Sequence, residues 1–165
     1  VFIFAVISVS LIISVVISRW VIFKTEDPLS REGLLSKAYA VWTMDDGVGD
    51  KIKDMKSTHD AISSNTVTIE GHFSNARYFN GKDSYIKTPV NFKGWKAISI
   101  SFWVKPERKD GNELSVILDN GHDAKNNFAI QSADFSGKKW VWHCNGRDIL
   151  LNLTLNEWNH VVVVC

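Results

Sequence analysis

One stretch, residues 97–106, restricts the fold more than any other part of the chain. Its apolar residues occupy every second position: Ile98, Ile100, Phe102 and Val104. The alternate positions hold Ser99, Ser101, Trp103 and Lys105. A period of two with β-branched and aromatic side chains is typical of a strand that buries one face. We therefore expect a strand with its aliphatic face in a core, ending at Pro106 because proline cannot donate to a ladder.

Short apolar runs of the same kind continue from residue 38 to the last residue. The predicted strands are 38–44, 60–62, 67–69, 76–79, 85–87, 98–105, 115–119, 127–131, 139–144, 149–153 and 158–165. The run 158–164 is apolar at both alternating sets of positions, which is typical of a central strand. Pairs such as Asn80-Gly81 and Asn145-Gly146 supply the positive φ of tight reversals. Many short strands without a helical period between them predict an antiparallel two-sheet jelly-roll sandwich.

The first residues of the chain have a different composition. Residues 1–17 carry no charge, and the apolar run continues past Arg19 to Phe23. Seventeen to 23 residues in a helix span roughly 26–35 Å, enough to cross a hydrocarbon core of about 30 Å. We expect one long hydrophobic helix over 1–23, then a linker over 24–37 with room for a short helix, and the β domain over 38–165.

Such a helix has two uses that the sequence leaves open. It can anchor the protein in a lipid bilayer, with Arg19, Trp20 and Lys24 as an interfacial collar. It can also associate with copies of itself in a filament core, as in type IV pilins, although the glutamate of bacterial pilins is absent here. The residues expected to make these assembly or membrane contacts are Phe2, Phe4, Ile7, Leu11, Ile12, Val15 and Trp20.

Four segments of the β region, in order, carry a family resemblance: 39–49, 76–86, 97–106 and 155–164. They comprise an opening strand with an acidic Gly turn, a hairpin, an aromatic strand ending in Lys-Pro, and a Trp-x-His strand. Residues 38–165 thus resemble the concanavalin A-like (laminin G-like) jelly-roll family. That family continues past the Trp-x-His strand, so we expect an unpaired edge at 158–164. Either the sequence is a fragment, or a neighbouring chain donates the missing strand.

The resemblance implies binding or adhesion more than catalysis. Laminarinase-like relatives carry Glu-x-Asp-x-x-Glu on one strand, and no such run occurs here. The formal net charge of +1 also gives no reason to expect nucleic-acid binding. We expect a non-catalytic protein at the cell surface, a pilin-like filament subunit displaying a laminin G-like domain. The alternatives are a membrane-anchored carbohydrate-binding module and a laminarinase-like glycosidase.

Acidic side chains cluster in two turns, and laminin G-like relatives often hold calcium at the rim of the sandwich. Carboxylate oxygens from loops suit Ca²⁺. The candidate ligands are Asp45, Asp46 and Asp50 in one turn, and Asp119 and Asp123 in the other. The alternative is that these are ordinary turn-forming residues with solvated side chains.

Three tryptophans on predicted strands are candidates for stacking on a sugar ring: Trp103, Trp140 and Trp142. The alternative is that each packs beneath the neighbouring sheet. His143 and His160 alternate with valines, so we expect core or rim histidines. Asn152, in Asn-Leu-Thr, is a candidate glycan acceptor and agrees with export. Cys144 and Cys165 either pair in an oxidising compartment or stay free.

Overall fold

The computed structural model describes residues 2–6, 13–23, 37–92, 95–108, 115–120, 128–133 and 139–165. The strands are β1 (Phe2–Val6), β2 (Ile13–Phe23), β3 (Ala38–Trp42), β4 (Lys51–Ile52), β5 (Ala61–Ser64), β6 (Val67–Glu70), β7 (Asn75–Phe79), β8 (Tyr85–Thr88), β9 (Ser99–Arg108), β10 (Val116–Asp119), β11 (Phe128–Ser132), β12 (Trp140–Cys144), β13 (Arg147–Leu151) and β14 (Asn159–Val164). Their pairings are antiparallel.

These strands form one six-stranded sheet and two four-stranded sheets. The six-stranded sheet runs β14-β9-β2-β7-β6, and β3 pairs with β2 next to the part of β2 that pairs with β7. The four-stranded sheets run β1-β8-β5-β4 and β10-β11-β12-β13, and they adjoin where β1 lies alongside β10. The architecture is mainly β and antiparallel, as predicted, and is consistent with a jelly-roll sandwich.

The core lies between the six-stranded sheet and the other two. Strand β9 contributes the aliphatic face predicted from its sequence, and the four-stranded sheets contribute residues such as Ile86, Leu118 and Ile130. All four predicted inward residues of this strand are buried: Ile98, Ile100, Phe102 and Val104. The predicted inward face of this strand is therefore confirmed.

Strand β9 does not stop at Pro106, as we had predicted. It continues to Arg108, with Pro106 opposite Val15 of β2. The carbonyl of Pro106 accepts a hydrogen bond from the Asn156 amide at 2.8 Å. In a β-strand, the N–H and C=O of one residue point toward the same neighbouring strand, so the nitrogen of Pro106 faces the β14 side. The ladder between β9 and β14 ends at Val104, before it reaches Pro106. The strand loses no ladder bond there.

The predicted N-terminal helix finds no support in the residues that the structure describes. Residues 2–6 and 13–23 are strands β1 and β2, and β2 pairs with β9 along its whole length. The run is rich in Val and Ile, which favour strands. A continuous apolar run of this kind fits either a strand or a buried helix, because it lacks the alternation that distinguishes the two.

Only some of the residues predicted to make assembly or membrane contacts lie in the part of the chain that the structure describes. Phe2 and Phe4 lie in β1, and Val15 and Trp20 lie in β2. Ile7, Leu11 and Ile12 fall outside the described residues, as does 24–36, nearly all of the predicted linker. Of the helical segments that the structure describes, none has the length and apolar character that crossing a membrane requires.

The eleven strands predicted downstream of residue 38 all appear, with ends shifted by a few residues. The prediction missed β4, which has only two residues. Strand β14 also differs from expectation, because only one of its faces is buried. Val161 and Val163 point into the core, whereas Val162 and Val164 are exposed. Within the described part of the chain, β14 pairs only with β9; strand donation from a neighbouring chain stays a prediction.

The two cysteines are joined. The Cys144–Cys165 disulfide links the last residue of β12 to the residue after β14, and so connects a four-stranded sheet to the six-stranded one. Cys165 also exchanges two backbone hydrogen bonds with Ile98, at 2.8 and 2.9 Å. Of the two alternatives that the sequence left open, the structure shows the paired one.

Candidate functional site

Five aromatic and imidazole rings gather on the outer face of the six-stranded sheet, and we call them the Trp103 cluster. Its members are His72, Phe73, Trp103, Trp158 and His160. Trp103 points away from the core because it alternates with the buried residues Phe102 and Val104 on β9. The cluster therefore lies on the surface of the sandwich.

Trp103 stands between two imidazoles. His72 stacks on one face of the indole, with ring centroids 3.9 Å apart and planes inclined by 28°. His160, the cross-strand neighbour of Trp103 on β14, stacks with centroids 5.0 Å apart and planes inclined by 22°. The three rings form a short stack that runs across the sheet.

The turn between β6 and β7 brings His72 to this position. The Gly71 amide donates to the Ser74 carbonyl at 2.8 Å, which closes a four-residue turn. A Cβ atom on residue 71 would lie 2.8 Å from the carbonyl oxygen of Asn75, so only glycine fits there without a shift of the backbone. His72 and Phe73 are consequently displayed at an exposed turn.

A hydrogen bond orients the other imidazole. The Ser101 hydroxyl and His160 Nε2 are 3.0 Å apart, so the ring of His160 is held by the strand next to its own. The exposed side chains of Val162 and Val164 continue this face along β14, opposite Ser101 and Ser99. The surface thus combines a ring stack at one end with a floor of small polar and apolar side chains.

Within the described ranges, the two imidazoles of the cluster are not arranged as an acid–base pair with a carboxylate. Across the described ranges, neither His72 nor His160 forms an ion pair with a carboxylate, so the Ser101–His160 pair has no third group to orient and charge the base. Glycoside hydrolysis needs two carboxylates about a cleft. The cluster offers none, whereas it offers aromatic surface and ring nitrogens for hydrogen bonds.

Trp140 and Trp142 do not join Trp103, and the prediction that they stack on a ligand is wrong. Both are core residues, with 0% and 1% of their surface exposed. Trp142 directs its indole Nε1 to the Val164 carbonyl at 3.3 Å. Their predicted packing alternative is the one observed: β12 lies second from the edge of its sheet and turns these rings toward the six-stranded sheet.

The first acidic turn uses its carboxylates within the protein. Asp45 accepts from the Asn75 amide at 3.0 Å, and Asp46 accepts from the Lys53 amide at 2.9 Å. Arg77 is buried nearby; burial lowers the pKa of its guanidinium, and the charges of Asp46 and Asp50 act in the opposite direction. The charge of Arg77 therefore interacts with two carboxylates of this turn.

The calcium prediction finds no support at this turn. Over the part of the chain that is described, no three His, Cys, Asp or Glu side chains come close enough to hold a metal ion. At the second candidate turn, Asp119 ends β10 and Asp123 lies outside the described residues. Calcium there stays a prediction.

A family model for the concanavalin A-like lectin/glucanases superfamily matches residues 79–165, just over half of the chain. The chain belongs to this superfamily. Neither the curated proteins nor the solved structures that were searched contain a significant match.

Membership in the concanavalin A-like superfamily supports the sandwich fold and a lectin-like or adhesion-type module. The superfamily holds lectins as well as glucanases, so membership alone does not decide between binding and catalysis. Trp103, Trp158 and His160 lie inside the matched segment, whereas His72 and Phe73 precede it. The Trp103 cluster thus combines superfamily strands with a turn from outside the match.

Sequence reasoning identified Trp103 and missed the four other rings of the cluster. The Trp-x-His pattern at Trp158 and His160 was visible, but we expected His160 at the core or rim. His72 and Phe73 lie far from Trp103 in sequence, and only the hairpin geometry brings them to it. Asn152 and Thr154 are both exposed in the segment between β13 and β14, and glycosylation there stays a prediction.

Proposed function

We propose that this chain is a non-catalytic binding module of the lectin-like or adhesion type, and that the Trp103 cluster is its ligand surface. The observation that supports this most is the convergence of five rings from three separate segments onto an exposed face. A single exposed aromatic residue needs no explanation, whereas a contiguous exposed patch of this kind typically marks a binding site. The cluster also lacks the carboxylates that a glucanase would need.

The ligand that we propose is a glycan. Sugar rings present an apolar face of C–H groups and a rim of hydroxyls, which match an aromatic ring flanked by hydrogen-bonding groups. Around Trp103 those groups are the imidazole nitrogens and the hydroxyls of Ser99 and Ser101. The Cys144–Cys165 disulfide supports a location in an oxidising compartment, such as the cell exterior.

The filament and membrane-anchor proposals lose their main support. Both depended on a hydrophobic helix over 1–23, and the described residues of that segment are strands within the sheets. A binding module that carries this segment inside its own sandwich needs neither a bilayer nor sister helices. A pilin-like assembly therefore has less support than the binding module.

The test is glycan-array binding with the full 165-residue chain. We expect a defined set of glycans to bind, and Trp103→Ala to reduce the signal at least tenfold. Trp95→Ala is the matched control, because Trp95 is also half-buried among aromatic rings, those of Tyr39 and Phe92, but outside the cluster. Folded wild-type protein that binds no glycan, or equal losses in both variants, would contradict the proposal. Release of reducing sugar from a bound glycan would favour the glucanase alternative.

A further inference from the structure

An imidazole stacks against each face of the Trp103 indole in this structure. Its contact with His72, at 3.9 Å between ring centroids, is at van der Waals distance and leaves no room for a ligand ring. The opposite face is occupied by His160. If a sugar ring stacks on Trp103, as the proposed function requires, one imidazole must first move aside.

The two imidazoles differ in how firmly they are held. His160 lies on β14, is paired with β9 through its backbone and shares a hydrogen bond with Ser101. His72 lies in an exposed turn, and its imidazole forms no hydrogen bond to any described residue. What holds it is ring contact with Phe73, Trp103 and Trp158. A change of side-chain rotamer, with no change in the sheet, would take His72 off the indole.

We propose that the His72 side of the Trp103 indole is a ring-binding subsite, which His72 fills until a pyranose ring of a glycan takes its place. This rests on the proposed function. The flat face of the imidazole stands in for the apolar C–H face of the sugar. Phe73, nearly perpendicular to the indole at 83°, and Trp158 form the sides of the subsite.

This arrangement lowers the apparent affinity for the glycan. The ligand binds only the fraction of molecules in which His72 has moved away, so the apparent dissociation constant rises by the inverse of that fraction. Removing the imidazole should therefore strengthen glycan binding, whereas removing a residue that only contacts the ligand would weaken it. The direction of the change distinguishes the two roles.

The test compares His72→Ala with His72→Phe, which keeps a ring over the indole. His59→Ala is a further control, because His59 also contacts an aromatic ring, that of Tyr39, away from the cluster. Hydroxyl-radical footprinting of Trp103, read by mass spectrometry without ligand, reports whether the indole is covered. We expect severalfold more labelling in His72→Ala, and wild-type labelling in His72→Phe and His59→Ala.

Glycan affinity is measured on the same proteins with an array-selected glycan. We expect His72→Ala to bind at least threefold more tightly than wild type, and His59→Ala to bind equally. Unchanged labelling of Trp103 in His72→Ala would overturn the subsite, and so would increased labelling with equal or weaker glycan binding. Absence of glycan binding in both wild type and His72→Ala would instead contradict the proposed function, including the case in which only aromatic peptides bind.

Discussion

Cys144 and Cys165 tie the end of β12 to the residue that follows β14, so one covalent bond joins the two layers of the sandwich at an edge. The Trp142 indole reinforces the same junction through the Val164 carbonyl. Strand β14, at the edge of the six-stranded sheet, is therefore fixed at its C-terminal end by contacts other than its pairing with β9.

Removing the disulfide should destabilise the fold without unfolding it. The two cysteines are 21 residues apart, and closing a loop of that size is worth about 3 kcal/mol in the entropic account. We expect Cys144→Ala/Cys165→Ala to lower the free energy of unfolding by that amount in urea titrations. A reductant should have the same effect on wild type and none on the double variant. A loss below about 1 kcal/mol would show that the junction holds without the bond.

Residues 1–23 should be required for folding. Strand β2 supplies the neighbour of β9 on one side, and deletion would leave that side of a core strand unpaired. We expect a fragment comprising residues 38–165 to lack a cooperative urea transition and near-ultraviolet circular dichroism, both of which the full chain should show. A fragment that unfolds cooperatively, with native-like spectra, would contradict the strand assignment and favour the helix.

The fold was predictable where apolar and polar residues alternate, because that pattern is typical of a strand with one buried face. Strand β9 places Ile100 inward and Trp103 outward, as its period of two requires. The ten other strands predicted from residue 38 onward follow from the same kind of pattern together with turn residues. Strand β2 was not predictable in this way. Its apolar residues do not alternate with polar ones, and a run of that kind is equally compatible with a helix.

Asp54 should make the protein sensitive to acid. Burial raises the pKa of this carboxyl, but the amides of Val41, Lys56, Thr58 and His59 donate to it and hold its pKa below its ordinary value of 3.8. A lowered folded-state pKa means that this carboxylate stabilises the fold above the ordinary value. That contribution is lost as pH falls through the folded-state pKa. We expect the free energy of unfolding to decrease in this range.

Asp54→Asn tests this expectation. The amide places N–H donors against backbone donors, and we expect a loss of about 3 kcal/mol at neutral pH. The acid dependence of the free energy of unfolding should become shallower than in wild type. Glu70→Gln, at an exposed site on β6, should change neither quantity. An Asp54→Asn variant as stable as wild type would show that the amides are satisfied in another way.

Substitution by Phe should lower the free energy of unfolding at the core residue Trp142, and weaken glycan binding at the cluster residue Trp103. Trp142→Phe removes a buried hydrogen bond and core volume, and should cost about 2 kcal/mol in unfolding experiments while glycan binding is kept. Trp103→Phe should stay within about 0.5 kcal/mol of wild type, because its site is half-exposed, while binding weakens. Loss of binding in Trp142→Phe at unchanged stability would reverse these assignments.

The site was less predictable than the fold. Alternation alone indicates that Trp103 faces outward. The same reasoning also made Trp140 and Trp142 candidates for stacking on a ligand, but both are buried in the core. Which face of a strand becomes the surface depends on the sheet against which it packs, and that is a property of the whole topology. The approach of His72 depends on a turn whose position no local pattern specifies.

The central position of β2 has a consequence for synthesis of the protein. A ribosome makes residues 13–23 well before their pairing partners at 99–108. Strands β3 and β7 can pair with one edge of β2 before then, but the edge that pairs with β9 stays open to other nascent chains. We therefore expect folding to depend on a chaperone that covers residues 13–23 until residues 99–108 have been made.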